Sequence, residues 1–152
     1  MPNLHDFIQQ FREIQPKFSR LYTRMLAQAS LTQPQYAVLL ELVHASPKPM
    51  TMTAISCKLY ISKPAVTNLV DRLEKHHFLK RVDHPHDRRI SLLQILPSGK
   101  KAVEKIQVRI LELMTDAAGQ FSPSERNTVQ KFYSILSKSL DQVLQCPKEG
   151  AL

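Results

Sequence analysis

The 152-residue chain predicts a mainly α-helical protein with one small β-hairpin: a helix-turn-helix unit and a hairpin held between amphipathic helices at both ends. Apolar residues recur at three- and four-residue steps over most of the chain, the period of one helical face. That period breaks once, between Phe78 and Pro97, where the pattern turns to β-compatible runs. The break also lies where positive charge is concentrated. Between Lys58 and Lys101, 10 Lys or Arg stand against 4 Asp or Glu, so +6 of the net +8 falls in less than a third of the chain. With 43% hydrophobic residues and 3 glycines, the composition is that of a packed, helix-rich domain rather than a disordered chain.

The first helix carries Leu4, Phe7, Ile8, Phe11, Ile14, Phe18, Leu21, Tyr22 and Met25 on one stripe, with a bend expected near Arg12 to Pro16. A second helix opens at Thr32-Gln33-Pro34-Gln35, a capping box with proline in the first turn. Ser46-Pro47-Lys48-Pro49 ends the pattern, because proline lacks the amide and restricts its neighbour. Two short helices follow, about 53–59 and 63–76, joined by a tight turn at Tyr60-Ile61. Leu79 to Val82 and Arg89 to Leu96 then read as strands around His84-Pro85-His86-Asp87. Helical spacing resumes at Ala102 and runs to Met114. The last helix starts at Ser122-Pro123-Ser124-Glu125, a second capping box, and carries Val129, Phe132, Tyr133, Leu136, Leu140 and Val143.

Chemistry concentrates in the short helix pair and the hairpin. Val66, Leu69, Val70 and Leu73 share one face of the second short helix and pack on the first. The opposite face offers Lys63 and Asn68 to base edges, Pro64 and Ala65 to thymine methyls, and Thr67 to bases or phosphate; Arg72 suits phosphate. Ser62 caps this helix, whose N-terminal amides favour a phosphate. At the hairpin tip, Arg88 and Arg89 suit the electronegative minor groove, and Asp87 can pair with one of them to hold the tip in shape. A polyanionic partner, double-stranded DNA, is therefore expected at the middle of the chain.

The run SKPAVTNLVDRLEKHHFLKRVDHPHDRRISLLQILPSGKK, with LVDRLE, Arg81 and the DRR of 87–89, resembles the winged-helix core of the multiple antibiotic resistance regulator (MarR) family. The likeness in helix order extends over nearly the whole chain. It implies a single domain over 1–152, with dimerisation helices at 1–30 and 120–146, a winged helix-turn-helix core at 32–101, a connecting helix at 102–119 and a tail at 147–152. It further implies a homodimer on a pseudo-palindromic operator and a transcriptional regulator, often a repressor, released by a small aromatic or phenolic anion. Tyr22, Arg24, Tyr36 and His44 are the candidate lining residues for such an effector. Three positions depart from the family pattern. Tyr60 stands where a small residue, often Gly, is usual; His76-His77 replaces Lys-Gly; and Pro97 replaces a capping Thr.

Other function classes have little support. No catalytic triad, glycine-rich phosphate loop, cofactor motif or zinc spacing occurs, so neither an enzyme nor a bound cofactor is expected. His76, His77, His84 and His86 lack a Cys or carboxylate at metal-ligand spacing. Cys57 and Cys146 read as reduced thiols of a cytoplasmic protein, since no signal-peptide pattern is present and no apolar run nears the ~20 residues of a membrane span. A redox switch at Cys57 and a winged-helix protein-interaction module remain the alternatives; the family's peroxide sensors carry their cysteine in the first helix, where this chain has none.

Overall fold

The computed structural model describes residues 3–87 and 89–144. Nine elements follow in order: α1 (Leu4–Gln28), α2 (Gln33–Ala45), β1 (Met50–Thr51), α3 (Met52–Leu59), α4 (Lys63–Lys75), β2 (Leu79–Asp83), β3 (Ser91–Ile95), α5 (Pro97–Gly119) and α6 (Pro123–Val143). Helices α2, α3 and α4 pack on one another and on a three-stranded antiparallel sheet ordered β1-β3-β2. Leu79 pairs with Ile95 at one end of the hairpin and Asp83 with Ser91 at the other; Met50 pairs with Leu93. Strand β1 was not expected from the sequence. It is two residues long, too short to leave a period, and exists only because β3 offers it an edge.

Local chemistry sets the boundaries. Thr32 accepts the Gln35 amide while the Gln35 side chain accepts the Thr32 amide, and Ser122 and Glu125 repeat the arrangement on α6. Thr51 caps α3 through the Ala54 amide. Helices α1, α3 and α4 end on a left-handed residue that is not glycine. Ser30, Tyr60 and His77 take left-handed φ values of 55°, 55° and 57°. In each case the next amide returns to the carbonyl five residues back: Leu31 to Leu26, Ile61 to Ser56 and Phe78 to Leu73. The hydrogen bonding of this helix-ending motif offsets a left-handed cost of about 1–2 kcal/mol per non-glycine residue. His77 thus does what a glycine would do there.

Val38, Leu39, Leu42, Ile55, Val66, Val70, Leu73, Leu79, Leu93, Val103 and Ile106 form the buried centre. Only the first half of α5 joins it. The helix begins at Pro97, five residues before its apolar period becomes visible; Leu96 is its N-cap and makes no side-chain capping bond, as the loss of a capping Thr implied. Helix α1 continues through Pro16 and contributes only Leu26 to the buried residues. None of the described residues of α6 is buried.

Candidate nucleic-acid interface

Burial divides α4 as its periodicity does. Val66, Val70 and Leu73 are fully enclosed, whereas Lys63, Pro64, Thr67, Asn68, Asp71, Arg72 and Lys75 face solvent. Ala65 and Leu69 are half-buried. At the N-terminus the Ser62 hydroxyl accepts the Ala65 amide at 3.4 Å, leaving its own hydrogen able to donate outward. The Thr67 hydroxyl donates to the Lys63 carbonyl at 3.1 Å, so its oxygen keeps acceptor capacity towards an incoming group. Asn68 stands with its amide on the exposed face, a donor and an acceptor side by side as adenine recognition requires.

The hairpin is fastened to this helix by Arg81. Its guanidinium on β2 donates to Asp71 at 2.5 Å and to Glu74, and its backbone amide donates to Glu74 at 3.0 Å. Burial alone lowers the guanidinium pKa, but the hydrogen bonds and charges of Asp71 and Glu74 outweigh it and hold the group above its usual value. One arginine therefore ties β2 of the wing to the C-terminal half of α4. Its single charge also offsets half of the negative charge that Asp71 and Glu74 place on α4.

Asp87 shapes the tip, though through a different bond from the one expected. Its carboxylate accepts the Arg89 backbone amide at 2.9 Å, and its carbonyl accepts the Ile90 amide at 3.1 Å. His84 Nδ1 accepts the amides of His86 and Asp87 at 3.3 and 3.2 Å. Arg89 is exposed; Arg88 lies outside the described residues.

Of the four candidate effector residues, two come together. Tyr22 and Tyr36 meet edge to face, 5.6 Å between centroids, in a cavity of about 410 Å³ between α1 and α2 that Gln15, Phe18, Ser19, Gln33, Ala37 and Leu40 complete. Burial first, then a hydrogen bond with Tyr22, raises the Tyr36 phenol well above its ordinary range, so it stays protonated. Arg24 and His44 are solvent-exposed and do not line this cavity. The eight lining residues include no cation, so an anion finds no charge partner there. Position along the chain had suggested all four, but helix phase separates them.

Cys57 also departs from expectation. It is disulfide-bonded rather than a reduced thiol. Cys146, the second cysteine, falls outside the described residues. Two further residues carry roles that sequence reasoning missed. Gly99 is buried against the Phe78 carbonyl, and Tyr60 donates to Asp141 of α6 at 2.9 Å. The first left no signal, because Gly99 stands before the apolar period of its helix becomes visible. The second spans 81 residues and left none.

A family model described as the MarR family matches residues 31–91, the segment that builds α2, α3, α4 and most of the wing. Its winged helix-turn-helix core is similar to that of the MarR family. Across 82% of its length it is 26% identical to YsmB of Bacillus subtilis, an uncharacterised HTH-type transcriptional regulator of which it covers 84%. The fold matches a MepR variant from S. aureus bound to an oligodeoxyribonucleotide, with TM-score 0.67, 24% identity and coverage of 89% and 98% of the two chains. It also matches PcaV of Streptomyces coelicolor in complex with its natural ligand, with TM-score 0.65, 23% identity and coverage of 87% and 92%. With the matched segment and the curated relatives, the chain is a DNA-binding transcriptional regulator of the winged helix-turn-helix type. No helix among the described residues is long and apolar enough to cross a membrane.

Proposed function

We propose that this protein is a cytoplasmic repressor that binds a pseudo-palindromic operator as a homodimer and leaves it when a small aromatic or phenolic ligand binds. The observation that carries the reading is the exposed polar face of α4 with a basic hairpin fastened to the same helix through Arg81. In this reading Lys63 and Asn68 read base edges, Pro64 and Ala65 touch thymine methyls, and Ser62, Thr67 and Arg72 hold phosphates. Arg88 and Arg89 follow the minor groove from a tip shaped by Asp87.

Dimerisation is supported by the apolar side chains that one protomer leaves uncovered: Leu4, Phe7, Phe11 and Ile14 on α1, Leu111 on α5, and Ile135 and Val143 on α6. Few monomers tolerate such an array in water. The Tyr22–Tyr36 cavity supports the effector, and its neutral donors and amides favour a phenol or an aromatic amide over a bare carboxylate. A second reading, control by oxidation, is favoured by the disulfide at Cys57.

The test is a titration of purified protein against duplex from its own upstream region and against random duplex, at several salt concentrations and with sizing. Tight, selective, salt-dependent binding by a dimer, relieved by phenols, is the expected result. Binding unaffected by phenols but altered by thiol reduction would favour the redox reading. Absence of binding to any duplex at low salt would overturn both and favour a protein-interaction module.

A further inference from the structure

Helix α5 enters the core with Val103 and Ile106 and then runs a further 13 residues to Gly119, an arm of roughly 20 Å at 1.5 Å per residue. The reading unit of α3, α4 and the wing is therefore joined along the chain to the apolar helix α6 through a long lever. A swing of about 10° at the end of such an arm moves the reading helix by about 3.5 Å, close to one base-pair step. Something must restrain that swing if two reading helices are to keep the ~34–36 Å separation of successive major grooves.

A second link is present. Tyr60, in the turn between α3 and α4, donates its phenol hydrogen to Asp141 in the last turn of α6 at 2.9 Å. Its backbone is left-handed, φ 55°, a conformation that glycine adopts without strain, so the turn itself has no need of the large side chain. At its middle α6 meets α1 through Phe7 and Phe132, whose ring centroids lie 5.1 Å apart. With none of its described residues buried, α6 takes its position from the helices that pair around it rather than from its own lobe.

We propose that Tyr60 is a positioning residue: through Asp141 it locks the reading unit to α6 and so sets the spacing between half-sites that a dimer accepts. This rests on the dimeric, DNA-binding reading above.

The test uses a half-site selected by the wild-type protein from a randomised library, placed twice on duplexes whose centre-to-centre spacing varies by one base pair at a time. In parallel, pulsed electron resonance measures the distance between nitroxides at positions 75 and 138 of one chain. The labels are attached through unnatural ketone side chains, and labelled chains are diluted with unlabelled protein. Wild type should weaken by about tenfold for each base pair away from its optimum, a penalty comparable to one mismatch. Tyr60→Phe and Asp141→Ala should flatten that profile to within about threefold and broaden the distance distribution, whereas Asp141→Asn, which keeps an acceptor oxygen, should preserve both. Profiles and distances that overlay wild type would overturn the proposal. So would uniformly weaker binding at every spacing with an unchanged distance, which would make Tyr60 a DNA contact. If wild type itself is monomeric or binds no duplex, the regulatory reading fails, and an unchanged distance in Tyr60→Phe would separately refute the restraint.

Discussion

Gly99 allows two opposed effects to be separated by one substitution, Gly99→Ala. Helix propensity alone favours alanine by about 1 kcal/mol, and position 99 lies within α5. Packing opposes it. A Cβ at this position would lie 2.2 Å from the Phe78 carbonyl oxygen, 3.0 Å from Ile95 Cγ1 and 3.1 Å from the Phe78 carbonyl carbon. Two of these neighbours are backbone atoms, so relief requires the start of α5 to retreat from the α4–β2 turn. That retreat strains the Leu96 amide bond to the Phe78 carbonyl, 3.0 Å long, and the Ser98 hydroxyl bond to the His77 carbonyl. Overpacking of about 1–3 kcal/mol and about 1 kcal/mol for each of the two weakened hydrogen bonds exceed the propensity gain, leaving a net loss of about 2–4 kcal/mol. For a chain of this size that lowers the melting temperature by about 5–15 °C. Thermal unfolding followed by circular dichroism at one fixed protein concentration reads the change directly, since a dimer's melting depends on concentration. A variant that melts at or above wild type would refute the packing argument and leave propensity as the larger effect.

Arg81→Met should cost about 1–2 kcal/mol in chemical denaturation, discounted because Asp71 is 57% exposed, and should reduce both DNA affinity and its salt slope as the wing loses its anchor. Unchanged DNA binding would show that the wing holds its place without Arg81. Arg89→Ala should weaken binding to all sequences and lower the salt dependence, whereas Asn68→Ala should relax base preference by about 1–3 kcal/mol at one position; equal effects from both would remove that division of labour. The Tyr60 phenol is raised above its ordinary 10.0, first by its hydrogen bond to Asp141. A raised folded value means that its contribution is complete below about pH 10 and is lost as pH rises through the folded value. Ultraviolet titration, with Tyr60→Phe as the blank, should find the phenol titrating earlier in Asp141→Ala.

Much of the local structure was written in short-range patterns. Thr32-Gln35 and Ser122-Glu125 name their helix starts because capping partners sit three residues apart. The face of α4 divides as its period divides, since 3.6 residues per turn decide which side chains share the core. The DRR tip and the charge on either side of it gave the expectation that a polyanion meets the chain there. What escaped was either too short or too distant. Strand β1 has two residues, and the start of α5 hides behind Pro97-Ser98-Gly99, where no apolar period has begun. Cys57 was read from redox compartment, which says nothing about the bond that this residue makes in the fold.

The sequence by itself determined the helices, their caps, the basic helix-turn-helix and its hairpin, because propensity, periodicity and capping act over three to seven residues. Tertiary structure alone decided that Arg81 ties wing to reading helix, that Tyr22 and Tyr36 share a cavity from which Arg24 and His44 are absent, and that Tyr60 reaches Asp141. Each of these depends on how two elements pack, and the angle between packed helices is set by many side chains at once rather than by the pair that happens to meet.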